Sequence, residues 1–160
     1  MANITQDRVR ELLTYDKDTG VLTNRIKRNS RARAGDVAGH LNNVGYLNIW
    51  LDGSCYLAHR LAWLYVTGEW PTMIDHKDRN RSNNAWNNLR SCSGSQNCAN
   101  KKTMSRYGYK GVCRTGANSW QAQLKSKGRR YVIGGFSTPQ EAHEAYMNLA
   151  VKVYGEFAGA

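Results

Sequence analysis

The sequence predicts an α+β fold built from two small modules, and three observations carry that prediction. Turn chemistry recurs between short extended runs, at Asp18-Thr19-Gly20 and at Asp52-Gly53, which marks β-hairpins. Near the C-terminus Ala142, Ala145, Tyr146, Leu149, Ala150 and Val153 recur at helical spacing, an apolar stripe that must cover something. A length of 160 residues suits one domain or two small ones, and each half alone sits near the size where a core is only marginally stabilising.

In chain order, Ile4 to Leu13 carries apolar residues at Ile4, Val9, Leu12 and Leu13 and reads as a short helix capped by Thr5. TYDKDTGVLTNRI follows as a hairpin. Arg25, Lys27, Arg28, Arg31 and Arg33 then crowd nine residues, either as a phosphate-contacting arm or as a solvated loop. Gly45 to Ala58 reads as a second hairpin, YLNIWL and SCYLA about Asp52-Gly53. AHRLAWLYVTG switches to helical spacing, with Gly68 placed to end it. His59, which opens that helix, reads as a buried or capping histidine rather than a catalytic one.

After Pro71, Ile74 to Lys77 and Leu89 to Cys92 are suited to pair as two short strands. Residues 79 to 88 are rich in Asn, Arg and Ser and form an ordered loop of Asx turns between them. Ser95 is expected to cap a helix through Gln96 and Asn97 to Lys101. The polar, basic stretch from Asn100 to Arg106 reads as a linker, which gives modules 1–102, with a central unit at about 72–102, and 106–160. GYKGVCR, SWQAQLK and RRYVIGGF are three strands separated by Gly-rich turns. Thr138, Pro139 and Glu141 then open a helix as N-cap, first helical residue and capping-box acid. The three strands are the surface its stripe covers, and Gly155 ends it.

Charge points to the partner. There are 23 Lys and Arg against 12 Asp and Glu, a net charge of +11, with a pI near 9.8 and a mean hydropathy of −0.67. From Arg106 to Phe136 seven basic residues stand with no acid among them, an undiluted positive field. Nucleic acid is the partner such a field attracts. Cys55, Cys92, Cys98 and Cys113 make no CxxC pair, so a structural Zn²⁺ is not expected and free thiols in a reducing compartment are the simplest account. With no apolar run long enough to span a bilayer and no charged-then-apolar leader, the expected location is the cytoplasm, of a bacterial host cell if the chain is phage-encoded.

The most informative stretch is IDHKDRNRSNNAWNNLRSCSGSQNCAN, Ile74 to Asn100. Asp75 and His76 are adjacent, Asn88 follows His76 by 12 residues, and Asn97 follows Asn88 by nine. Phosphodiester cleavage needs an activated water, neutralisation of developing charge and help for the leaving oxygen. Asp75 and Asn97 offer hard oxygen ligands of the type Mg²⁺ or Mn²⁺ prefers. His76 is suited to act as general base, because neutral imidazole has a pKa close to working pH. Adjacent strand residues face opposite ways, so Asp75 and His76 share a site only if the backbone bends there.

The D-H dipeptide, the N-L after the loop and the Gln-Asn on the following helix resemble the HNH endonucleases with a ββα-metal fold, particularly phage homing-type members with Asn in the third position. The upstream AHRLAW and the TGVLT hairpin resemble the flanks of phage members. The resemblance implies that Asp75 and Asn97 hold one metal ion, that His76 activates water, and that Asn88, chosen over Asn87 by family register, braces the loop so that His76 points correctly. Asn97 in place of the usual second His argues for Mg²⁺ or Mn²⁺ over Zn²⁺.

In Trp120 to Lys125, Trp120, Ala122 and Leu124 fall on one strand face and Gln121, Gln123 and Lys125 on the other. If the helix covers the first face, the second presents amides and an ammonium, extended by Arg114, Arg129 and Arg130. Trp120 reads as core. Amides read adenine edges and Arg reads guanine in the major groove of duplex DNA. YKGV, WQAQ, GGF and TPQEAHEAY resemble the AP2 domain, a three-stranded sheet on one helix that docks its sheet in that groove, over roughly Gly108 to Ala158. By its register Lys110, Gln123, Lys125 and Arg130 fall at DNA-contacting positions. Cys113 and Val132 stand where plant members often carry Arg and Trp, so no target sequence transfers. The expectation is a DNA endonuclease acting as a monomer or weak dimer, and the alternative is a non-catalytic, sequence-specific DNA-binding protein or regulator.

Overall fold

Local chemistry sets the first elements. In the computed structural model, which describes residues 4–102 and 105–159, helix α1 (Gln6–Leu12) begins where the Thr5 hydroxyl accepts the Arg8 N–H at 3.3 Å. Strands β1 (Leu13–Tyr15) and β2 (Leu22–Asn24) pair antiparallel, Leu13 opposite Asn24. Asp16 folds the turn between them by accepting the N–H groups of Asp18 and Thr19. Gly20 closes it at φ +75°, so near the peptide joining Asn84 to Ala85 that an added Cβ would overlap it. The hairpin therefore presses on a loop more than sixty residues downstream.

Strands β3 (His40–Leu41), β4 (Leu47–Leu51) and β5 (Ser54–Leu57) form an antiparallel sheet in that order. Asp52 at φ 46° and Gly53 at φ 78° make the expected two-residue turn. Strand β3 did not show in the sequence, because two exposed residues carry no alternation to detect. Helix α2 (Ala58–Thr67) ends at Gly68, left-handed at φ 79°. Val9, Leu12, Leu13, Ile49, Leu51, Leu61 and Leu64 are buried together between these elements. Gln6 and Arg10 donate to the Tyr65 carbonyl and bind α1 to α2. Strands β6 (Ile74–His76) and β7 (Leu89–Ser91) pair antiparallel below the loop that joins them.

The chain divides into two compact units, Met1–Cys92 and Ser93–Ala160. The sequence suggested a boundary at 102–106, of which Thr103 and Met104 lie outside the described residues. Helix α3 (Gly94–Asn100) belongs to the second unit. Its C-terminal end is tied there by Lys110, whose ammonium donates to the carbonyls of Ala99, Lys101 and Gly159. Ser93 caps α3, not Ser95 as expected: the Ser93 hydroxyl accepts the Gln96 N–H while Gln96 Oε1 accepts the Ser93 N–H at 2.8 Å. Ser95 has Cys98 at the position where Ser93 has Gln96, so only Ser93 completes the reciprocal pair.

In the second unit strands β8 (Val112–Gly116), β9 (Ser119–Ser126) and β10 (Arg129–Phe136) form an antiparallel sheet with β9 central. Helix α4 (Pro139–Tyr154) starts at Thr138, whose hydroxyl accepts the Glu141 N–H, while the Glu141 carboxylate accepts the Ser137 N–H. Its Tyr146 and Ala150 pack with Ala122 and Leu124 of β9, and Ala142 of the same stripe is buried. Gly111, at φ +70°, lets the backbone lie against the Tyr146 ring where no side chain fits. The fold is α+β, with four α-helices among the described residues. None of these is long and apolar enough to cross a membrane, and all four cysteines are free.

Candidate functional site

Strand β6 carries Asp75 and His76, and its register puts Arg90 opposite the first and Leu89 opposite the second. Arg90 donates from Nε at 2.9 Å and from Nη2 at 2.7 Å, both to Asp75 Oδ2. Their side chains are 9% and 6% exposed, so this is a buried ion pair. Arg90 was not among the sequence candidates, although its place in the paired strands was readable.

His76 meets a different set of groups. Its Nε2 lies 3.2 Å from Asn84 Oδ1, its ring is edge-on to His59 at 5.0 Å, and Tyr46 lies within 6.1 Å of it. Burial pushes the His76 pKa down, opposed by the Asn84 hydrogen bond and the carboxylates of Asp78 and Asp75. The imidazole is thereby kept neutral, the form that accepts a proton. His59 is lowered to about 3, first by burial and then by His76 beside it. It is a buried ring, as the sequence suggested.

That shift has a consequence for stability. The unfolded chain takes up a proton on His59 below about 6.5 and the folded chain does not until about 3. Stability is therefore complete above pH 6.5 and falls as pH drops through that window, by up to about 1.4 kcal/mol per pH unit. Urea unfolding of His59→Leu between pH 7 and pH 4 is expected to show a shallower loss than the native chain. An identical slope in the two proteins would dismiss His59 as a source of acid sensitivity.

The loop between β6 and β7 is organised by Asn88. Its Oδ1 accepts the Asp78 N–H at 3.1 Å, and its Nδ2 donates to Asp78 Oδ1 at 2.9 Å and to the Asn83 carbonyl at 2.8 Å. Asn88 is buried and Asn87 exposed, so of the two adjacent amides Asn88 is the one turned into the loop. Asp78 also accepts from Asn80 N and Asn83 Nδ2, an Asx-type hub of the kind expected. Asp78 and Asn84 were not chosen from sequence. Asn97 lies half-buried on α3 in the second unit, with its N–H donating to the Ser93 carbonyl.

Among the described residues no group of three or more His, Cys, Asp or Glu side chains is placed to hold a metal ion. The donor types proposed, one carboxylate and one amide oxygen, are hard oxygens of the kind that Mg²⁺ or Mn²⁺ takes together with water and phosphate oxygens.

On the second unit the pairs Gln121–Cys113, Gln123–Val132 and Lys125–Arg130 make up the sheet face turned from α4. Arg130 Nη2 donates to Gln123 Oε1 at 2.8 Å. Arg129, opposite the buried Ser126, is exposed at the hairpin end. Arg114 lies elsewhere: it pairs with Trp120, stacks over that ring at 5.8 Å and donates to the carbonyls of Gly116 and Ala117. Lys110 is held by its three carbonyls. In the first unit Arg25 and Arg28 bind the backbone carbonyls of Arg10 and Trp50, whereas Lys27, Arg31 and Arg33 are exposed.

Residues 56–99 match the family model described as HNH endonuclease. The chain is also similar to an uncharacterized HNH endonuclease of Acanthamoeba polyphaga mimivirus, at 31% identity over 121 residues. That alignment covers 74% of this chain, and the chain spans 64% of the length of the relative. No solved structure matches.

Proposed function

We propose that the chain is a metal-dependent DNA endonuclease of the HNH type in which His76 is the general base. The observation that carries this reading is a buried imidazole on β6, its pKa lowered by burial, inside the segment matched by the HNH endonuclease model. His76 takes the proton of the attacking water. Asn88 holds the loop that frames it, and Asp75 and Asn97 are the metal ligands implied by resemblance. A bound Mg²⁺ or Mn²⁺ supplies positive charge to the phosphate and the leaving 3′ oxygen. One site per chain makes a monomer a nickase.

Duplex DNA is held, in this reading, by the sheet of an AP2-like module through Gln121, Gln123, Lys125 and Arg130, with Arg129 at its edge. Lys110 and Arg114 also bind backbone carbonyls, which hold them in place while their charge adds to the same positive field. Replacing Lys125 and Arg130 together by Ala is expected to lower the slope of log affinity against log salt by about two, one for each lost phosphate contact. Fluorescence titration of a labelled duplex from 50 to 200 mM salt measures it. An unchanged slope removes both residues from the interface.

The rival reading, a non-catalytic DNA-binding protein, draws on the capture of Asp75 by Arg90. Incubating pure protein with supercoiled duplex DNA, with Mg²⁺ or with EDTA, separates the two. Nicked product in Mg²⁺ alone is expected, and binding without cleavage in either condition supports the rival. A phage homing role, in the cytoplasm of a bacterial host, is the setting the resemblance favours.

A further inference from the structure

A neutral imidazole carries one proton on one of two nitrogens, and the other nitrogen is the base. His76 Nε2 faces Asn84 Oδ1 at 3.2 Å. The same amide's Nδ2 donates to the Ser82 carbonyl at 3.3 Å, which turns its oxygen toward the ring. An amide oxygen only accepts, so the ring nitrogen facing it is an N–H.

Asn84 is itself fixed with unusual thoroughness. It is 1% exposed, and the Tyr15 hydroxyl donates to its carbonyl at 2.7 Å from 69 residues upstream. Gly20 abuts its carbonyl carbon, and the Trp86 N–H donates to the Lys17 carbonyl at 2.8 Å. The β1–β2 hairpin thus forms a wall behind the amide.

We propose that Asn84 is a positioning residue: clamped by the N-terminal hairpin, its side-chain oxygen keeps His76 in the Nε2–H tautomer, so that Nδ1 is the basic nitrogen of the ring. The inference rests on the reading of His76 as general base and extends the working site to Tyr15 and Gly20. It also gives the hairpin a task that its own sequence does not announce.

The test is ¹⁵N NMR of the His76 imidazole in the full-length chain without metal or DNA, which reads the tautomer independently of turnover. The native protein is expected to show the Nε2–H form, Asn84→Ala a mixture with Nδ1–H, and Tyr15→Phe a smaller shift the same way. A native Nδ1–H spectrum overturns the proposal, and so does an unaltered tautomer in folded Asn84→Ala. If Asn84→Ala does not fold, the native spectrum and Tyr15→Phe decide. With Mg²⁺ and duplex DNA, kcat in Asn84→Ala is expected to fall at least about tenfold with KM unchanged, and an equal kcat counts against it. Absence of cleavage in the native protein overturns the nuclease reading alone, since the tautomer is measured without it.

Discussion

On the proposed nuclease reading, His76→Ala is expected to lower DNA cleavage by about 10²–10⁴-fold, the contribution of a positioned general base, and to leave affinity for duplex DNA unchanged. The two halves of that expectation have separate causes. The imidazole is buried and neutral, so it offers phosphate no charge, and its removal costs the grip nothing. What is lost is the proton acceptor. Ala also leaves a cavity beside His59 and Tyr46, and a fall in activity from local collapse must be told apart from lost chemistry. His76→Gln separates them, because it fills most of the space yet cannot take a proton at neutral pH. Both variants should be inactive, and added imidazole should restore part of the activity of the Ala variant only. Cleavage that survives in either variant sinks His76 as the base.

What was legible in advance was what local chemistry decides. Thr5 and Thr138 start helices and Gly68 ends one through bonds within a few residues of themselves, and Asp52-Gly53 makes a turn on its own. The α4 stripe was equally plain, since six apolar residues at one spacing have one use. The helix cap at Ser93 was missed because two serines competed and a glutamine three residues on settled the choice. Asn84 was hidden for another reason: nothing in NRSNNAWNN tells which amide will meet His76, and the choice is made by Tyr15 and Gly20 from the far end of the unit. Lys110 and Arg114 show a related limit: a basic segment does not say which backbone carbonyls its cations will fold onto.

Arg90→Met is expected to destabilise the first unit by about 3–5 kcal/mol, because it strips the cation from a carboxylate that stays buried. A unit of this size holds only about 5–14 kcal/mol in total, so the change is large enough to read as an early unfolding step in urea. Arg90→Lys keeps the charge but cannot repeat the two-pronged contact of Nε and Nη2 on Asp75 Oδ2, and it should fall between the two. The informative protein is the double variant Asp75→Leu with Arg90→Met. Apolar replacement of both partners of a buried pair is often neutral in stability, so it should recover much of what Arg90→Met alone loses. If it does so without recovering cleavage, the pair exists to place Asp75 for chemistry and not to hold the strands together. If Asp75→Leu with Arg90→Met cleaves DNA as the native chain does, Asp75 is no metal ligand and the Asp75–Arg90 contact is only a cross-strand bond between β6 and β7.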